Sequence, residues 1–109
     1  MAYDAGLVER LRDALSGQGE LIEKKMFGGV AFMVRGNMAC GVLGDGLIVR
    51  VGRERYEEAV MEPHTKPLDI TGRPMTGWVV VESLGHASDD DLERWVKEGV
   101  EFALTLPAK

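Results

Sequence analysis

Between Lys24 and Val51 the chain alternates apolar with polar or small residues, and glycine-bearing dipeptides interrupt the alternation twice. Val30, Phe32 and Val34 share one parity, Met38, Cys40 and Val42 the next, and Leu47, Val49 and Val51 a third. A period of two predicts strands with one buried face. The interruptions, Gly36-Asn37 and Asp45-Gly46, accept the positive φ angles of two-residue hairpin turns. The stretch therefore reads as an antiparallel meander, entered by a strand from Leu21 to Phe27. Gly28-Gly29, inside extended chain, suggests a bulge or a close backbone approach.

The period changes on both sides of the meander. Leu7, Val8, Leu11, Ala14 and Leu15 fall on one stripe of a helix that Asp4 can cap and that Gly17 and Gly19 end. Arg53 to Met61 predicts a short helix with Tyr56, Ala59 and Val60 inward, stopping before Pro63. Glu62 to Thr76 holds Pro63, Pro67, Pro74 and Gly72. It reads as a long ordered loop with a very short strand at Leu68 to Ile70. Trp78 to Glu82 is a strand rich in β-branched residues. Ser88, with Asp91 three residues on, resembles a capping box for a last helix whose stripe is Leu92, Trp95, Val96, Gly99, Val100 and Ala103. The expected order is α-β-β-β-β-α-β-α. This is a two-layer α+β fold, one domain over residues 1–109, with the helices covering one face of the sheet.

Charge narrows the partners. The formal net charge is -5 and the pI about 5.0, whereas a domain that neutralises phosphates tends to a pI above ~9. Lys24, Lys25, Arg50, Arg53 and Arg55 are the only candidates for a basic patch, and direct nucleic-acid binding is not expected. No apolar run approaches the ~20 residues of a membrane span. The start lacks the basic and apolar segments of a signal peptide. The single cysteine cannot form an internal disulfide. A cytoplasmic location is expected, with no membrane contact.

Candidate chemistry is sparse. His64, His86 and Cys40 do not make the close, patterned ligand set of a zinc site. Neither a metal nor a cofactor is expected. Cys40, in mid-strand, reads as a small buried hydrophobe. Gly28-Gly29 lacks the spacing of a P-loop and reads as structural rather than phosphate-binding. The Glu62–Thr76 loop is the main polar segment, and long ordered loops usually bind something or pack over a core edge. His64 and Asp69 could form an acid–base pair, with Arg73 gripping an anion. The competing arrangement pairs Asp69 with Arg73 or uses Asp69 to cap the loop. A ligand or small-anion site on this loop would be built from Lys24, Arg50, His64, Asp69 and Arg73. No nucleophile or second carboxylate completes a catalytic set, so no enzyme activity is expected. Met26, Met33 and Met38 fall in the meander on what would be its uncovered side, an adaptable surface suited to a protein partner or to a second copy of the chain.

Lys25-Met26-Phe27-Gly28-Gly29, then Phe32, Gly36-Asn37-Met38, Asp45-Gly46-Leu47 and the closing strand with the Trp95 helix resemble the TfoX N-terminal domain family. The resemblance runs from about Val8 to Ala103. That family includes bacterial regulators of competence-gene expression and many short stand-alone proteins, and the segment from Glu62 to Met75 resembles the latter. The resemblance implies helices packed on an antiparallel sheet and a non-enzymatic, regulatory role. The full-length regulators carry a second, helical C-terminal domain and act with a cyclic-AMP-dependent transcription activator. A chain of 109 residues is expected to be a stand-alone member without that second domain.

Overall fold

The computed structural model describes residues 3–17, 21–26, 28–69 and 72–108. These form α1 (Ala5–Ala14), β1 (Leu21–Met26), β2 (Gly29–Val34), β3 (Asn37–Leu43), β4 (Gly46–Arg50), α2 (Arg53–Val60), β5 (Thr65–Pro67), β6 (Trp78–Val81), a 3-10 turn at Ser83–Gly85 and α3 (Asp89–Leu104). The strands make one antiparallel sheet in the order β1-β2-β3-β4-β6-β5. The α+β class read from the pattern is the class observed.

The caps act as the sequence indicates. Asp4 Oδ1 accepts from the backbone N–H of Gly6 at 2.9 Å and of Leu7 at 3.2 Å, satisfying two donors that α1 itself leaves open. Ser88 Oγ accepts from Asp91 N–H at 3.1 Å, and Asp89, Asp90 and Asp91 place negative charge at the positive end of α3. Helix α1 ends at Ala14 with Leu15 as its C-cap, ahead of Gly17; Gly19 lies outside the described residues.

One face of the sheet carries the core. Phe32, Cys40, Val42, Leu47, Val49, Val79 and Val81 pack with Leu7, Leu11 and Leu15 of the first helical segment and with Trp95, Val96 and Val100 of α3. Ala59 of α2 joins the same cluster, with Tyr56 and Val60 packed against it. Gly99 lets α3 sit directly on the sheet, because a Cβ there would lie 2.5 Å from the Ala39 carbonyl oxygen.

The hairpin turns fall one residue earlier than Gly36-Asn37 and Asp45-Gly46. Val34 pairs with Asn37, so the β2–β3 turn is Arg35-Gly36, with φ of 54° and 81°. Positive φ at both central positions is the type I′ geometry that matches strand twist. Asn37 is therefore a buried strand residue, and its Nδ2–H donates to the Pro107 carbonyl at 2.9 Å. Leu43 pairs with Gly46, which leaves Gly44-Asp45 as the β3–β4 turn, with positive φ at Gly44. Gly28 likewise lies in a hairpin turn and not in a bulge, since Met26 pairs with Gly29 around it. Phe27, its neighbour in the chain, lies outside the described residues.

The bulge lies in β3 instead. Phe32 pairs with Cys40 but Met33 with Met38, which leaves Ala39 as the extra residue. One added residue reverses the side-chain parity beyond it. Met38 therefore shares the face of Met33, not that of Cys40 and Val42. The short strand also differs in place: β5 pairs Thr65 with Val81, Lys66 with Val80 and Pro67 with Val79. At a sheet edge Pro67 has no inner N–H to contribute. Leu68 follows the strand as a buried residue, and Ile70 lies outside the described residues.

Candidate functional site

The sheet's second face carries no helix, because the buried residues of α1, α2 and α3 that join a core cluster all join the one on the first face. Strand register lays Lys24, Ala31, Gly41, Ile48, Val80 and Lys66 in a single row across all six strands of this second face. Met26 and Leu43 stand on one side of the row; Ile22, Met33, Met38 and Trp78 stand on the other. Ala31, Ile48 and Leu68 are buried yet outside the core cluster, so this face has a thin apolar layer of its own. Ile22 and Met26 are 53% and 44% exposed, and Met33, Met38, Leu43 and Val80 are half-buried. The three meander methionines do share the uncovered face.

Toward β5, Pro67, Leu68, Asp69 and Pro74 wall a cavity of about 460 Å³. Its floor is Leu43, Gly46 and Val80, and its charged lining is Asp45, Lys66, Asp69 and Glu82. Lys66 Nζ lies 3.5 Å from Glu82 Oε2, and Asp69 Oδ1 accepts from Gly72 N–H at 2.7 Å. Asp69 therefore caps its own loop. The balance of the lining is acidic.

The five residues proposed from sequence do not gather on one cavity. Lys24 is on edge strand β1, and Asp69 follows β5 at the opposite edge, about 24 Å away at five strand spacings. His64 and Asp69 flank β5 at opposite ends; His64 has φ of 60° and its carbonyl accepts from Glu82 N–H at 2.7 Å. Arg50, at the end of β4, lies over Trp78 and Phe102 with its guanidinium carbon 4.9 Å and 5.5 Å from the ring centroids. Partial burial lowers its pKa from the ordinary arginine value. Arg73 is exposed. Of the five, only Asp69 lines the cavity.

The basic residues do not form a common patch either. Arg55 is held by Glu98 at 2.9 Å and by Glu62, and Arg94 reaches Glu62 at 3.2 Å. This network ties α2 to α3, and the hydrogen bond that Arg55 donates to Glu62 is the main reason the Arg55 pKa is raised. Arg10 similarly bridges α1 to the start of α3, donating to the His86 carbonyl at 2.9 Å and meeting Asp89 at 3.3 Å. His86 is buried, with its Nε2 2.8 Å from the Asp45 carbonyl; a carbonyl only accepts, so Nε2 carries the proton. No sequence signal pointed to these contacts, since their partners are 43, 76 and 41 residues apart.

Two titrating groups give direct tests. Burial alone pushes the Cys40 thiol up to about 12, which removes it as a nucleophile near neutrality. In the native protein Cys40 is expected to resist a disulfide reagent at pH 8, and to react fully once the chain is unfolded. Rapid native labelling would contradict the burial. Arg12 donates to Glu23 from Nε at 2.5 Å and from Nη2 at 2.9 Å, and this hydrogen bonding lowers the Glu23 pKa. A carboxyl whose pKa is lower in the folded state adds stability above its ordinary range, and loses it as pH falls through the folded value. Arg12→Ala is expected to move the Glu23 titration upward by NMR; an unmoved titration would show that the pair is not formed in solution.

Among the described residues, no group of three or more histidine, cysteine, aspartate or glutamate side chains is placed to hold a metal ion, and no helix is long and apolar enough to cross a membrane. The geometry defines a class of protein: a two-layer α+β domain whose open sheet keeps one apolar face free of helices. The chain matches the family model described as TfoX N-terminal domain over residues 13–103, and belongs to that family. No curated protein and no solved structure matches it. At family level it is a competence-regulator-like domain.

Proposed function

We propose that this is a non-enzymatic protein-interaction module, with a regulatory role of the kind its family suggests, and that its working surface is the helix-free face of the sheet. The observation that carries the reading is the Ile22, Met26, Met33, Met38 and Leu43 group, exposed or half-buried on rigid strands. Single exposed apolar residues are ordinary, but a contiguous group on one rigid face marks an interaction site. Methionine suits such a face because its unbranched thioether adapts to a partner's shape. The buried, unreactive Cys40 and the loop-capping Asp69 support a binding role over catalysis. The acidic lining beside the Glu62–Thr76 loop argues against the alternative of a small-anion site there.

The test is capture by tagged protein from the native cell extract, comparing wild type with Met33→Glu. A specific protein partner should be retained by the first and lost with the second, while both show the same thermal midpoint. Retention unchanged by Met33→Glu would remove this face as the working surface. Recovery of RNA polymerase or a transcription activator, again dependent on Met33, would support the regulatory role.

A further inference from the structure

We infer that the outer edge of β1 pairs with the same edge of a second copy of this chain, antiparallel, about a two-fold axis that passes through Lys24 at right angles to the sheet. This surface is the edge of the sheet, distinct from the helix-free face proposed above as the working surface. The two edges are built differently. β5 is three residues long and carries Pro67, and a short strand with proline is a common device against unwanted pairing. β1 runs for six residues, Leu21–Met26, without proline, and its register with β2 is unbroken. Every residue from Ile22 to Met26 is exposed, and β1 has a strand neighbour on one side only.

The β1–β2 pairing decides which backbone groups face outward. Met26 and Gly29 close the hairpin with two residues between them, and the closing pair of such a hairpin exchanges its backbone hydrogen bonds. Bonded and non-bonded pairs alternate along the ladder, so Ile22, Lys24 and Met26 turn their N–H and C=O groups toward β2. Leu21, Glu23 and Lys25 turn theirs outward. A two-fold axis at Lys24 sets Glu23 opposite the partner's Lys25, and Lys25 opposite the partner's Glu23. Both pairs join outward-facing groups, so each can exchange two backbone hydrogen bonds. The side chains agree with the backbone. On the first face Glu23 meets Lys25 as an opposite charge, and Lys25 makes no ion pair among the described residues. On the second face Ile22 meets Met26, both large apolar side chains left 53% and 44% exposed. Against this stands one facing pair of Lys24 side chains at the axis, whose long stems lead both charges into water. Centring the axis on Glu23 would set that carboxylate against itself and Ile22 against Lys24. Centring it on Lys25 would set that cation against itself and Met26 against Lys24. Only the Lys24 register matches opposite charges and apolar partners together.

Contact between two single strands is small, below the roughly 1,200 Å² at which standard interfaces begin, and the association is expected to be weak and reversible. It also places the helix-free faces of both copies on the same side of one continuous sheet, because a two-fold axis at right angles to a sheet exchanges the copies without inverting either face.

The test is sedimentation equilibrium on the full chain, from about 1 μM to 1 mM, with Glu23→Lys, Lys25→Glu, an equimolar mixture of the two, Lys24→Thr and Met33→Glu. Wild type should dimerise. Each charge variant alone faces like charges twice and should weaken the dimer about tenfold; the mixture restores both attractions and should recover it. Glu23→Lys also breaks the contact with Arg12. Lys24→Thr disturbs no ion pair among the described residues and removes the facing lysines, so it should tighten the dimer about threefold, a gain that loss of folding cannot mimic. Hydrogen exchange reads the register: the N–H groups of Glu23 and Lys25 should slow as concentration rises, while that of Lys24, already bonded to β2, should not. A monomer throughout the range, a mixture no tighter than its parts, or a dimer indifferent to Lys24→Thr overturns the proposal. A dimer abolished by Met33→Glu but untouched by the charge variants also overturns it. A monomeric wild type that nonetheless captures another protein through Met33 would leave the interaction face standing and remove only the paired edge.

Discussion

Trp95→Ala is expected to lower the stability of this domain by about 3–5 kcal/mol. Trp95 leads the largest fully buried side chains and is 1% exposed. It sits mid-way along α3, where its indole holds the helix against the sheet. Truncation loses the transfer energy of the ring and leaves a void that close-packed neighbours fill only in part. For a domain of this size such a loss corresponds to roughly 13–22 °C in thermal midpoint. It is also a large part of the ~5–15 kcal/mol by which a typical domain is stable. Urea unfolding of the variant, followed by circular dichroism, would measure it. A loss under about 1.5 kcal/mol would mean that α3 is not seated as described.

The second large effect is expected at Gly52, where Gly52→Ala should cost about 3 kcal/mol from two separate causes. Gly52 precedes α2 with φ of 86° and ψ of 163°, a region open essentially to glycine alone. A Cβ would also lie 2.4 Å from Cε1 of Phe102. The backbone has little freedom to relax, because the N–H groups of Val51 and Gly52 both donate to the Gly77 carbonyl, at 2.9 Å and 3.1 Å. Gly17→Ala is the matched control: a Cβ there meets nothing within 4 Å. Parallel thermal melts decide the matter, and equal midpoints for the two variants would sink the argument.

Much of this architecture was legible in the residues. Asp4, Ser88 and the Leu92-to-Ala103 stripe marked real caps and a real buried face, because helix periodicity and capping are local properties. The errors share a physical origin. Gly36-Asn37 and Gly44-Asp45-Gly46 each offer more than one turn-forming pair, and the choice is made by cross-strand register, which a single strand does not display. The bulge at Ala39 is invisible for the same reason: alanine suits either phase of the alternation, and only pairing with β2 and contact with Gly99 select one. That one residue moved Met38 to the second face. The site was less legible than the fold. Lys24, Arg50, His64, Asp69 and Arg73 were grouped by residue type, but sheet order separates β1 from β5. A strand order is a long-range property that composition does not carry.

The position of α3 in the chain bears on how the protein is made. Every strand of the sheet precedes residue 89, while the helix that packs on β2, β3 and β4 spans Asp89–Leu104. A nascent chain can close its three β1-to-β4 hairpins early, since each is joined by a short turn and involves local contacts. It cannot finish covering the first face until the last helix has left the ribosome. For that interval, at synthesis rates of about 5–20 residues per second, the growing polypeptide presents a sheet bare on its second face and only partly covered, by α1 and α2, on its first. This protein is therefore expected to depend on chaperone protection during translation more than its small size alone would suggest.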